Sequence, residues 1–114
     1  MIKRYVQTKI NHRVVEAAGI LHFGGLIADD LSLDMKGQTA QVCQKIDKLL
    51  EEVGSSKEQL ITAMIYIADF SQKDGMNEAW LEWLPAEHLP TRATIGVAEL
   101  GKDVLIEVVV SAAR

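Results

Sequence analysis

The stretch from Leu60 to Ala68 constrains the fold more than any other. It reads Leu-Ile-Thr-Ala-Met-Ile-Tyr-Ile-Ala, almost unbroken apolar sequence with β-branched and aromatic members. Such a run suits a strand covered on both faces better than a nine-residue helix, although periodicity alone does not separate the two. The chain around it has 114 residues, the size of one domain. A domain of that length buries roughly 65% of its unfolded surface, so it can build a core without staples. Hydrophobic residues at 48% and charged residues at 25% are ordinary globular values, which exclude disorder and collagen-like structure. We read residues 1–114 as a single domain with no repeat, linker or low-complexity segment.

The rest of the sequence supplies the partners this strand needs. Ile2 to Gln7, Val14 to Ala17 and Ile20 to Gly25 read as strands, with a turn at Ala18-Gly19 where glycine tolerates positive φ. Asp34 is placed to cap a helix. Val42, Ile46, Leu49, Leu50 and Val53 then form one helical face, and Gly54 stands where such a helix ends. Ser55 to Gln59 offers a capping-box pattern for a further short turn. Met76, Ala79, Trp80, Trp83 and Leu84 make a second helical stripe that Pro85 stops, and the two tryptophans are expected to cover the sheet. Two strands follow, Thr91 to Val97 and Val104 to Ser111. The expected architecture is α+β: a mixed sheet with two helices packed on one face. The other face, still substantially apolar, is expected to be buried by self-association.

Twelve basic against sixteen acidic side chains leave a net charge of -4, which argues against a general nucleic-acid surface. Glu78, Glu82 and Glu87 around the tryptophans argue against a base-stacking platform. One cysteine, Cys43, excludes an intramolecular disulfide and a thiolate zinc cage, and is expected to be an unreactive helix thiol. His12, His22 and His88 show no ligand spacing, and Asp29, Asp30 and Asp34 lack the pattern of a calcium loop. No metal site is expected. The N-terminus has no signal-peptide core, and no apolar run is long enough to span a membrane, so a cytoplasmic protein is expected.

The last two strands hold the arrangement richest in chemistry. Arg92, Thr94 and Gly96 alternate along the first, and Leu105, Glu107 and Val109 along the second. If the two form a hairpin centred near Leu100-Gly101, Thr94 lies opposite Glu107 and Arg92 diagonal to it, so the three converge on one face. One reading is a partly buried ion pair or an edge-strand salt bridge. The other is a site: Arg92 grips a ligand carboxylate, Glu107 orients or deprotonates a water, Thr94 adds a hydrogen bond, and Gly96 leaves space for something small.

Pro90-Thr91-Arg92-Ala93-Thr94-Ile95-Gly96-Val97, followed by Gly101-Lys102-Asp103-Val104-Leu105-Ile106-Glu107, resembles the C-terminal signature of the RidA/YjgF family, also labelled L-PSP endoribonuclease. Gly19 to Ala28, Asp69-Phe70, Met76-Asn77 and Ala79-Trp80 resemble other parts of the same pattern, so the likeness spans the chain. The resemblance implies a chorismate-mutase-like domain assembled as a homotrimeric barrel, with ligand clefts between subunits. It implies hydrolysis of small reactive 2-imino and enamino acids to 2-keto acids and ammonia, without metal or organic cofactor. Arg92 would bind the carboxylate and Glu107 handle the water, with Gly25, Asn77 and Asn11 at substrate-binding positions. The chain departs from the deaminase branch where Asn11 replaces a tyrosine, Thr94 a cysteine and Leu26 a glutamine, so it resembles a divergent branch. A trimer that binds small carboxylates without turning them over is the alternative; RNA cleavage finds no support in the composition.

Overall fold

The computed structural model describes all 114 residues. Six strands and two helices follow one another as β1 (Ile2–Gln7), β2 (His12–Ala17), β3 (Ile20–Phe23), α1 (Met35–Glu52), β4 (Leu60–Ile67), α2 (Lys73–Trp83), β5 (Thr91–Gly96) and β6 (Ile106–Ala113). They form one mixed sheet in the order β1-β2-β3-β6-β4-β5, in which only the β4–β5 pair is parallel. Both helices lie on one face. A core of 23 buried residues joins α1 and α2 to that face, drawing on Ile46 and Leu50 from α1, Met76 and Trp80 from α2, and Ile65, Ile67, Ile106 and Val108 from the central strands.

Local chemistry sets most of the boundaries. The β2–β3 turn runs through Ala18 at φ 52° and Gly19 at φ 79°, the left-handed pair that a two-residue hairpin requires. Asp34 Oδ1 accepts a hydrogen bond from Gly37 N at 2.8 Å and starts α1. At its other end Gly54, at φ 82°, lets its own N–H reach Glu51 O at 3.1 Å while Ser55 N reaches Leu50 O at 2.8 Å. The capping box expected over Ser55 to Gln59 does not form: Ser55 Oγ donates instead to Ala113 O at 2.7 Å, and Ser56 precedes the single helical turn Lys57–Gln59 without a capping bond from its side chain. Strand β2 begins two residues earlier than expected, at His12, and β3 ends at Phe23 rather than Gly25. Leu26 nevertheless rejoins the sheet as an isolated bridge to Val108.

One expectation about topology is overturned. β5 and β6 are not a hairpin, because β4 lies between them: it pairs parallel with β5 on one side and antiparallel with β6 on the other. Burial explains the choice. Every second residue of β6, from Ile106 to Ala112, is buried, and a strand of that character stabilises the sheet most with neighbours on both edges. β5 is largely exposed and takes the edge. The connection from β5 to β6 is held by Gln38, a fully buried side chain on α1, which donates to Asp103 O at 3.0 Å and accepts from Leu105 N at 3.0 Å.

The face of the sheet away from the helices has no cover within the chain. Met64, Tyr66 and Val109 are half-buried there beside Thr62, Ser111 and Glu107, so this face is apolar at its centre but not throughout.

Candidate functional site

Strand register decides which candidate residues can meet. Arg92 lies beside Ala63, Thr94 beside Ile65 and Gly96 beside Ile67, all on the helix-covered face. Glu107 lies beside Tyr66, on the opposite face and across β4. Two strand spacings, roughly 10 Å, and the thickness of the sheet therefore separate Glu107 from the β5 residues. The expected convergence of Arg92, Thr94 and Glu107 does not occur within one chain. The residues form two groups.

The first group surrounds the edge strand. Asn77 on α2, with Trp80, Leu81, Leu89, Pro90 and Arg92, lines a cleft of about 360 Å³. Trp80 is only 2% exposed and presents its ring beneath the Arg92 guanidinium, whose Cζ is 6.0 Å from the ring centroid. Arg92 takes part in none of the four ion pairs in the chain. Two buried polar atoms of this group also lack a hydrogen-bond partner, Asn77 Oδ1 and Thr94 Oγ1. Gly96 does not leave open space: a Cβ there would sit 3.0 Å from Cδ2 of Phe70, whose ring fills the position.

The second group sits on the uncovered face and its rim. Gly25 is pressed against Glu107, so that any side chain at position 25 would run into the carboxylate. Asn11 stands in the β1–β2 connection, where its Oδ1 accepts from Thr8 Oγ1 at 2.7 Å. Its Nδ2 lies 3.4 Å from where a Cβ of Gly24 would be, which places it next to Gly25. The chain thus carries a cationic, amide- and hydroxyl-bearing half at the β5 edge and a carboxylate half around β6.

The other candidates have structural roles or none. Cys43 is buried, and desolvation pushes its thiol up to about 12, so it stays protonated and unreactive near neutral pH. Asp29 pairs with Lys45 at 2.9 Å, Asp34 caps α1, and Asp30 accepts from Ser32 Oγ at 2.6 Å. That hydrogen bond holds the Asp30 carboxyl below the usual carboxylate range. His12 begins β2, His22 is exposed on β3 and His88 ends a short turn; no group of three or more potential metal ligands forms anywhere. Sequence reasoning missed the contact of Trp80 with Arg92 and the lining by Leu81 and Leu89. The visible signal was two leucines with no place on the core-facing stripe, since Leu81 is 61% and Leu89 42% exposed.

The fold and sequence have close counterparts. The family model described as endoribonuclease L-PSP matches residues 1–114. A RutC family protein from Haemophilus ducreyi is 34% identical over 113 residues, covering 99% of this chain and 97% of that protein. The RutC family protein YoaB from Escherichia coli is 33% identical over 93 residues, which is 82% of this chain and 81% of that protein. Among solved structures, an uncharacterized protein from Pseudomonas aeruginosa matches with a TM-score of 0.94 at 32% identity, covering 100% of this chain and 99% of the other. A member of the YjgF protein family from Neisseria meningitidis also matches with a TM-score of 0.94, at 27% identity and with 100% and 95% of the two chains covered. With its sequence matched from end to end and its fold shared, this chain belongs to the endoribonuclease L-PSP family, which also carries the names YjgF and Rid.

Proposed function

We propose that the protein hydrolyses small 2-imino and enamino acids to 2-keto acids and ammonia, at clefts assembled between copies of the chain. The observation that carries this reading is Arg92: a guanidinium without an acidic partner, at the mouth of a cleft whose neighbouring buried atoms, Asn77 Oδ1 and Thr94 Oγ1, have unused hydrogen-bonding capacity. A planar two-pronged donor suits a carboxylate, while the free oxygens suit an imine or amine N–H. Glu107 enters from the uncovered face of a second copy, in keeping with the division of the candidate residues between two faces. A homotrimer closes three such contacts with one kind of interface.

The reaction balances without a cofactor. An enamino acid first tautomerises to the imine, taking a proton at carbon and losing one from nitrogen. The water oxygen then bonds to the imine carbon as Glu107 accepts its proton. Glu107 returns that proton to the nitrogen, giving the neutral carbinolamine; the carbinolamine hydroxyl proton then passes through the same carboxylate to the nitrogen, the carbonyl forms as the C–N bond breaks, and ammonia leaves. Arg92 holds the carboxylate throughout, so water and electrophile meet in one orientation and the barrier falls chiefly by placement.

The assay generates 2-aminoacrylate in situ with a β-eliminating enzyme and follows its loss. We expect a rate above buffer that falls at least about tenfold in Arg92→Ala, in line with the loss of a charge-assisted bidentate contact. Arg92→Ala and Glu107→Gln subunits, each impaired alone, should regain activity when unfolded and refolded together, because some mixed clefts then hold both native residues. Carboxylate binding without turnover would replace this reading by a non-catalytic binding trimer. Neither binding nor turnover would discard both.

A further inference from the structure

The indole of Trp80 is buried and braced by a second aromatic ring. It packs against Trp83 edge to face, with ring centroids 5.4 Å apart and planes at 69°. Trp83 in turn donates from Nε1 to Asp47 Oδ2 on α1 at 2.9 Å, and its carbonyl accepts from Lys57 Nζ at 2.9 Å. A chain of fixed contacts thus runs from α1 through two rings to the underside of Arg92. That arginine projects from an edge strand, where no ion pair restrains it and a long side chain would otherwise lose substantial rotamer freedom on gripping a ligand. Glu78 and Glu82, acids on the same helix as Trp80, are both held by Lys36, at 3.3 and 3.1 Å, and so do not compete for the guanidinium.

We infer that Trp80 is a positioning residue: its ring face holds the Arg92 guanidinium, aimed into the cleft, and it acts on the ligand only through Arg92. A cation over an aromatic face is attracted to the ring while its N–H edges stay free for a carboxylate, so the two interactions do not compete. The effect is preorganisation, which lowers the ordering cost of binding. This inference rests on the reading of Arg92 as the carboxylate binder.

The test compares wild type, Trp80→Phe, Trp80→Leu and Arg92→Gln by calorimetric titration with 2-oxobutyrate, by KM and kcat, and by indole fluorescence. We expect Trp80→Leu to weaken binding and raise KM about 3- to 10-fold with kcat changed less than about twofold, and Trp80→Phe, which keeps an aromatic face, to recover most of the loss. Equal losses in the Phe and Leu variants would reduce Trp80 to a packing residue, and wild-type affinity in Trp80→Leu would overturn the inference. Should Trp80→Leu fail to fold, the emission spectrum decides: replacing exposed Arg92 by glutamine should shift or brighten it, and an unchanged spectrum overturns the inference. That spectral arm needs no ligand. A protein that binds no keto acid yet shows the shift would refute the proposed function and keep the contact.

Discussion

A methyl group at position 25 would occupy the volume of the Glu107 carboxylate, so the glycine and the glutamate are one unit. Gly25→Ala must push Glu107 aside, and we expect it to lower stability by about 1–3 kcal/mol, the usual range for overpacking. In a Glu107→Ala background the same substitution should cost less than about 0.5 kcal/mol, because the clash is gone. Urea denaturation of the four proteins measures both values; equal costs in the two backgrounds would show that Gly25 is needed for another reason. At this scale the sequence was partly readable. Asp34, Gly19 and Gly54 announced a cap and two turns because each acts on backbone within a few residues of itself. Arg92 stood out as a charge in an apolar strand. Nothing in the neighbourhood of Gly25 shows that a carboxylate far along the chain presses on it; only family resemblance singled it out.

Among the elements, edge strand β1 is the one that needs outside help, and a polar knot supplies it. Tyr5 on β1 donates its hydroxyl hydrogen to Glu16 Oε1 on β2 at 2.8 Å, and Arg114 at the C-terminus donates from Nε to both oxygens of Glu16 at 2.9 and 3.0 Å. The Tyr5 hydrogen bond, joined by those from Arg114, holds the Glu16 carboxyl below the usual carboxylate range. A depressed carboxyl stabilises the folded state fully above its unfolded pKa, and that contribution is lost as pH falls through the folded value. The gap in Tm between wild type and Glu16→Gln should therefore be widest near pH 7 and should close toward pH 3. A gap that stays constant over that interval would mean that the knot draws no strength from the carboxylate charge. The elements themselves were largely legible, since hydrophobic periodicity repeats over a few residues. Their pairing was legible only at the β2–β3 turn, where Ala18-Gly19 marks a hairpin. β5 and β6 are neighbours in sequence and read as a hairpin, yet the more deeply buried β6 takes the centre and β5 is left outside β4.

For the molecule as a whole, the open sheet face matters most. Met64, Tyr66 and Val109 are half-buried side by side on it, and the helices leave it bare. We expect the wild type to scatter light as the proposed assembly of several copies, and Val109→Glu, which puts a charge on this face, to scatter as one 12.6 kDa chain with the far-ultraviolet circular dichroism spectrum unchanged. A monomeric wild type would refute the proposed assembly, and a variant assembly of wild-type mass would put its contact on another face. The sequence by itself determined the strands, the two helices, the caps of the first helix and the alternation that puts Arg92 and Thr94 on one side of their strand, because these depend on period and on backbone chemistry within a turn or two. Apart from the β2–β3 hairpin, only the tertiary structure decided which strands lie side by side, and hence that Glu107 faces away from Arg92. Alternation fixes the residues that share a face within a strand, but the order of strands follows from burying the most apolar of them at the centre, a competition among segments distant in the chain.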